Sequence, residues 1–173
     1  MKITDVKPAD YNVFYSTYIN KAPKETDLID AFEKAESVVL QFFKSIPEHK
    51  WDYKYATGKW SIKEVFQHII DTERIFIYRC FRIARHDKTP LAGFEQDDYI
   101  LPSNAQNKSV KNLLEEYKVV RQNSIVLLKS LSDEDFKFIG ISNGANLSAL
   151  AAAFMILGHE THHIEVLKAL YLC

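Results

Sequence analysis

Apolar residues recur along this chain at helical spacing in four long stretches, separated by polar segments that carry the prolines and most of the glycines. The first stretch predicts a helix from about Thr26 to Ser45, with Leu28, Phe32, Ala35, Val39 and Phe42 on one face, stopped before Pro47. The second has the clearest start: Ser61 and Glu64 form a Ser-x-x-Glu capping box, and the helix continues to about Arg85. The third begins near Ser109 and reaches about Leu131 on Val110, Leu113, Leu114, Tyr117, Val120, Ser124 and Leu127. A turn at Ser132–Phe136 and a breaker at Asn143-Gly144 precede the fourth helix, from about Leu147 to Tyr171; a strand or two over Lys137–Ile141 would not change the class. A short leading helix is expected after Pro8, a residue suited to a first helical turn. Between the second and third long helices, residues 87–108 hold Pro90, Gly93 and Pro102 and predict one long crossover loop, a length that marks function or passage across a bundle end. The fold class is therefore all-α: an antiparallel four-helix bundle in a single domain, residues 1–173, with a short extra N-terminal helix.

Composition narrows the function classes. Hydrophobic residues at 47% and charged residues at 26% describe an ordinary folded protein, and five glycines with five prolines are too few for the turns of an all-β fold. A formal charge of −1 supplies no basic field to displace counterions from phosphates, so nucleic acid is not an expected partner. No apolar run reaches the ~20 residues of a membrane span, the richest being Leu147 to Gly158, so no membrane partner is expected either. The opening Met1–Pro8 lacks the apolar core of a signal peptide, and Cys80 and Cys173 read as free thiols; the expected location is cytoplasmic.

The chemistry lies in the histidines. The inner stripe of the last helix reads Ala152, Met155, Ile156, His159, His163, Val166, Leu167 and Leu170. His159 and His163 stand four residues apart, on one face, so two imidazoles can share one metal. In the second long helix the stripe through Val65 and Ile69 also takes in His68, Thr72, Ile75 and Arg79, which turns a third imidazole inward. Metal sites in bundles are built this way, from side chains on facing helices. A lone buried histidine is more often a hydrogen-bonded core residue; the three together change that balance. His162 lies about 100° around the helix from His163 and reads as a supporting or subunit-contact residue, while His49 and His86 fall at the surface.

His159-Glu160-Thr161-His162-His163 also satisfies His-Glu-x-x-His, the zinc-protease pattern in which the glutamate is the general base. Such a site needs a further ligand, usually downstream. The ten residues after His163 hold no histidine, and Glu165 is too close to bend back, so the protease reading is the weaker one.

These residues resemble the DinB-like (YfiT-like) family of metalloenzymes over nearly the whole chain. The resemblance rests on Gly58-Lys59-Trp60-Ser61-Ile62-Lys63-Glu64 leading into His68, on Asp71-Thr72-Glu73-Arg74, on Asp87-Lys88-Thr89-Pro90-Leu91 and on Gly158-His159-Glu160-Thr161-His162-His163. It implies a four-helix bundle, often dimeric, with a metal held by one histidine of the second helix and two of the last, positions that His68, His159 and His163 match. Some members of that family transfer or isomerise groups with thiols such as bacillithiol, mycothiol or glutathione, and others have been labelled metal-dependent hydrolases. A small-molecule substrate, a low-molecular-weight thiol as cosubstrate and a homodimer are thus implied.

Three neutral imidazoles leave a divalent ion its full charge and an open coordination position, the arrangement of a catalytic site. Zinc is the expected ion and nickel the alternative, since imidazole suits both. The same residues serve a thiol-dependent S-transferase or a small-molecule hydrolase, and a non-catalytic metal-binding or partner-binding bundle is the competing class. Among helpers, Arg79 could hold a carboxylate, with pairing to a structural acid the favoured expectation. Glu160 and Glu165 could orient a histidine, with a solvated face expected for both, and Asp71 and Glu73 are expected to bridge to Arg74 or neighbouring helices. Phe94-Glu95-Gln96-Asp97-Asp98-Tyr99 could border a pocket mouth or form an ordinary surface loop.

Overall fold

The computed structural model describes residues 1–173. In chain order its elements are α1 (Ser16–Lys21), α2 (Leu28–Lys44), α3 (Ile62–Ala84), α4 (Asp97–Ser103), α5 (Val110–Lys129), α6 (Asp133–Lys137), the hairpin strands β1 (Ile139–Ser142) and β2 (Ala145–Ser148), and α7 (Ala149–Leu170). The long helices α2, α3, α5 and α7 form the bundle. The capping box at the start of α3 is fully made: Ser61 Oγ accepts from the Glu64 amide at 3.3 Å and a Glu64 carboxylate oxygen accepts from the Ser61 amide at 2.6 Å. Ser109 and Ser148 cap α5 and α7 in the same sense, accepting from Asn112 and Ala151.

Cross-helix pairs give the directions. Lys129 meets Glu33 and Gln122 meets Glu36, so α2 and α5 run antiparallel. Val65, Ile69 and Ile70 share an apolar cluster with Leu167, whereas Phe76 to Ile83 pack with the first half of α7, so α3 and α7 are antiparallel too. Between α3 and α5, however, Gln67 pairs with Glu116 and Glu73 with Arg121 and Ser124, so these two advance together. Neighbours that run the same way cannot be joined by a tight turn, because the 23 residues of α3 rise about 35 Å and the chain must return that distance. This is the physical origin of the long crossover between them.

That crossover is more structured than its sequence implies. It contains α4, with Pro102 inside the helix, and the 3-10 turn Ala105–Asn107. Its early part is fastened to the hairpin: the Leu91 amide donates to the Ile141 carbonyl and the Asn143 amide to that of Leu91, both at 2.9 Å. The leading helix starts later than Pro8 predicts; Pro8–Asp10 is a single 3-10 turn, and α1 begins at Ser16. The last helix starts at Ala149 rather than Leu147 because Leu147 and Ser148 pair with Gly140 and Ile139. Asn143 and Gly144, at φ 51° and 75°, supply the two left-handed residues that a tight hairpin turn requires.

The core has two parts. One apolar cluster joins Leu28 and Phe32 of α2, Phe76 to Ala84 of α3, Ile125 and Leu128 of α5 and the first half of α7. The other joins Val39, Phe43, Val65 to Ile70, Leu113, Tyr117, Val120, Leu167 and Tyr171. Between them lies a belt of buried polar side chains: His68, Thr72, Glu73, Arg121, Ser124, His159 and Glu160. α1 lies across α7 at this level, and the crossing explains Gly158. A Cβ built there would stand 1.8 Å from the Tyr18 carbonyl oxygen, so only glycine lets the two backbones meet.

Candidate metal centre

The polar belt brings the three expected histidines together across α3 and α7. His159 Nε2 lies 3.0 Å from His68 Nε2 and 3.1 Å from His163 Nε2, and all three offer a nitrogen within 4.8 Å of one another. A neutral imidazole has one N–H and one in-plane lone pair, so a single nitrogen can make one good hydrogen bond. His159 Nε2 faces two others at hydrogen-bonding distance and can satisfy only one. Hydrogen bonding alone therefore leaves this arrangement frustrated, whereas three lone pairs directed at a common point suit a cation. Two nitrogens each about 2.0–2.1 Å from one ion stand at most about 4.2 Å apart, and His159 Nε2 lies within that span of both other rings.

The electrostatics favour the ligating form. Burial pulls His68 down to about 4. Burial, with the neighbouring His68 and His162 rings, pulls His163 to about 2. Burial first, and then the three surrounding imidazoles, holds His159 well below the usual range. All three rings are accordingly neutral at pH 7 and free to donate a lone pair. This arrangement has a consequence for stability. An unfolded histidine takes its proton near pH 6.5 while these remain bare, so acid favours the unfolded chain. Metal-free protein is expected to lose about 2 kcal/mol for each of the three rings, His68, His159 and His163, between about pH 7 and pH 5. Denaturant titration across that range checks this, and a flat profile would mean that the rings take up protons in place.

The surroundings brace the rings. Trp60 packs on His68 with ring centroids 4.8 Å apart, and Tyr18 of α1 meets His159 edge-on at 5.1 Å. Thr72 Oγ1 lies 3.5 Å from His68 Nδ1, one turn along α3. His162 stays outside the cluster, half-buried beside Tyr18, as its position on the helix predicts. His49 and His86 are exposed, the latter stacked on Phe138. Cys80 and Cys173 are free; burial pushes the Cys80 thiol up to about 12 and leaves it inert.

Three expectations need correction. Glu160 is buried rather than solvated, 3% exposed, accepting from Arg121 Nη2 at 2.6 Å and from the Tyr117 hydroxyl at 3.1 Å. The reason is that α7 is apolar around its whole circumference over residues 149–157, so its middle is sunk in the bundle on every side. This also disposes of Glu160 as a protease base, because its carboxylate is already engaged away from the histidines. Arg79 does not pair with a structural acid: its Nη2 donates to the Ala92 carbonyl at 3.0 Å, while Nη1 is buried without a partner. Leu170, placed on the inner stripe, is 43% exposed, and Val166 is half-buried, because the last turn of α7 seats only Leu167 and Tyr171 in the core. Of the two readings of the loop at Phe94, Glu95 and Gln96, the pocket border holds: these residues line a cavity of about 370 Å³ together with Tyr18, Arg79 and His159. The other acids fall as expected: Asp71 pairs with Arg74 at 2.9 Å, Glu73 with Arg121 on the neighbouring helix, and Glu165, exposed, with Lys21.

Sequence reasoning passed over Arg121. It sits four residues from Tyr117 and three from Ser124, on the inner stripe of α5, and that spacing is the signal that could have found it. Its guanidinium is fully buried and binds Glu73 at 2.9 Å and Glu160 at 2.6 Å. Burial opposes the charge on Arg121, but Glu160 and Glu73 outweigh it and push its pKa further up. Glu160 is raised, first by burial and then by the nearby Glu73 carboxylate, against the pull of Arg121.

Comparison with known proteins adds the family. The model of the DinB superfamily matches residues 31–167. A Bacillus licheniformis protein, provisionally named a metal-dependent hydrolase, is 25% identical over 125 residues, covering 70% of each chain. Among solved structures, YfiT from Bacillus subtilis, described as a probable metal-dependent hydrolase with an unusual four-helix bundle topology, superposes with a TM-score of 0.72 at 18% identity, over 86% of this chain and 90% of that one. The mycothiol-dependent maleylpyruvate isomerase superposes with a TM-score of 0.64 at 8% identity, over 99% of this chain and 63% of its own.

Proposed function

We propose that this chain, which belongs to the DinB superfamily, is a metal-dependent enzyme that uses His68, His159 and His163 to hold one divalent transition metal and hydrolyses a small molecule in the cavity beside His159. The observation that carries this reading is the convergence of three imidazole nitrogens, two of them on buried rings, that cannot satisfy one another. When bound, a divalent ion supplies Lewis acidity and lowers the pKa of an attacking water or thiol, so a nucleophile exists at neutral pH. The rings present neutral lone pairs because burial keeps protons off them. Trp60 and Tyr18 pack against two of the rings and exclude bulk water from their flanks, which strengthens every electrostatic interaction there. The cavity then positions the substrate against the open side of His159.

Zinc is the proposed ion, with nickel the alternative for the same donor set. A second reading, transfer to or from a low-molecular-weight thiol, draws its support from the likeness to the mycothiol-dependent isomerase, over a shared fold that spans this whole chain. Elemental analysis of untagged protein tests the common premise: about one divalent ion per chain is expected, and protein free of metal after purification without chelators would end both readings. A screen of ester and amide substrates with and without added thiols then separates them, since the hydrolase needs no thiol and the transferase is silent without one.

A further inference from the structure

Two residues that line the cavity beside His159, Arg79 and Ser142, each carry a buried polar atom with no partner in the protein, Nη1 and Oγ. Arg79 is 2% exposed and Ser142 7%, and they reach the cavity from α3 and from the end of β1. A guanidinium carries a full positive charge, and leaving one of its nitrogens buried and unpaired costs several kcal/mol unless something else meets it. No carboxylate of the protein does so. Glu95, the acid on the cavity wall, stands exposed at the mouth and accepts from the Asp97 amide at 3.4 Å. The guanidinium is also held in place, its carbon 5.2 Å from the Phe76 ring and 5.5 Å from the Phe94 ring, with Nη2 tied to the Ala92 carbonyl. Arg79 is thus charged, immobile and short of one acceptor.

We propose that this cavity binds a small organic carboxylate whose charge is met by Arg79 Nη1 and Ser142 Oγ, with its remaining atoms directed toward His159. Two free donors match the two oxygens of a carboxylate, and one positive charge balances one negative charge, whereas a phosphate dianion would remain under-neutralised. The aromatic rings of Tyr15, Phe76 and Phe94 on the same walls suit an apolar body behind the charge. A cavity of about 370 Å³ takes a molecule of that class. This inference deepens the metal-dependent reading by naming the substrate class, and its meaning for catalysis rests on that reading.

Calorimetric titration of zinc-loaded protein with benzoate and with benzamide tests it, repeated on Arg79→Met, Arg79→Lys and Ser142→Ala after each variant's metal content and circular dichroism are checked. Wild-type protein is expected to prefer the carboxylate by about 10- to 100-fold. Arg79→Met removes that preference with metal content unchanged, Arg79→Lys keeps part of it, and Ser142→Ala weakens it several-fold. Should Arg79→Met fail to fold, the Ser142→Ala titration decides. Because a metal can itself attract a carboxylate, the wild-type titrations are repeated after chelation, and the preference is expected to survive. A preference that persists in Arg79→Met, or vanishes on chelation, overturns the proposal, as does tighter binding of inorganic phosphate. Protein that holds no metal yet discriminates through Arg79 would instead remove the metal reading and leave this one standing.

Discussion

Replacing Arg121 by methionine is expected to destabilise the protein by about 3–5 kcal/mol, the cost of leaving buried charge without its partner. Arg121 binds two carboxylates at once, Glu73 through Nε and Nη2 at 2.9 Å and Glu160 through Nη2 at 2.6 Å, at a depth where none of the three meets water. The loss is large beside the ~5–15 kcal/mol of an ordinary domain. It also has a pH signature. Glu160 is already raised, chiefly by burial, and would rise further without Arg121. A carboxyl raised in the folded state costs stability above its unfolded pKa and none below it, so the gap between variant and wild type should narrow as pH falls from about 8 toward 5. Adding Glu73→Gln and Glu160→Gln to the variant removes the orphaned charges and should recover most of the loss. Denaturant midpoints for the three chains measure this. A gap under about 1 kcal/mol, or no recovery in the triple variant, would mean that water reaches these carboxylates.

The comparison of sequence with structure divides along a physical line. Positions that depend on local backbone geometry were legible. The capping box at Ser61 and Glu64 fixed the start of α3, and His159 and His163 shared a face because helical geometry leaves them no alternative. His68 was legible because a polar residue on an otherwise apolar stripe must be explained. Features that depend on which surfaces meet were not. Nothing in the spacing of α5 names Glu73 and Glu160 as the partners of Arg121, since three separate helices must pack before those atoms approach. Gly158 reads only as a weak point in a helix until α1 is laid across it. Arg79 and Ser142 line one cavity because the crossover after α3 binds β1 through Leu91, a bridge to Ser142, 51 residues further along the chain. The parallel run of α3 and α5 is of the same kind: the long loop signalled a crossing, but only paired side chains give its direction.

His159→Ala is expected to lose metal and activity together, and more completely than either of the other two ligand substitutions. The reason is its central position: its Nε2 is the one that faces both His68 and His163, so its removal breaks both short contacts. Loss of a supporting group outside the ligand set typically costs 10–100-fold in metal affinity, and loss of the central ligand should exceed about 100-fold. His162→Ala is the matched control. It removes the same chemical group from the same helix, three residues along, but from a ring that meets Tyr18 and His163 at its edge and does not join the cluster. Metal content near that of wild type is expected for it. Competition against a zinc chelator of known affinity gives the ordering, and the circular dichroism of each variant separates loss of the site from loss of the fold. The metal-free form of His159→Ala should also resist acid better than metal-free wild type, because one of the three bare rings that drive acid unfolding is gone. If His159→Ala binds zinc as tightly as His162→Ala does, the three rings are a polar cluster of the core, and the chemistry of this protein must be sought elsewhere.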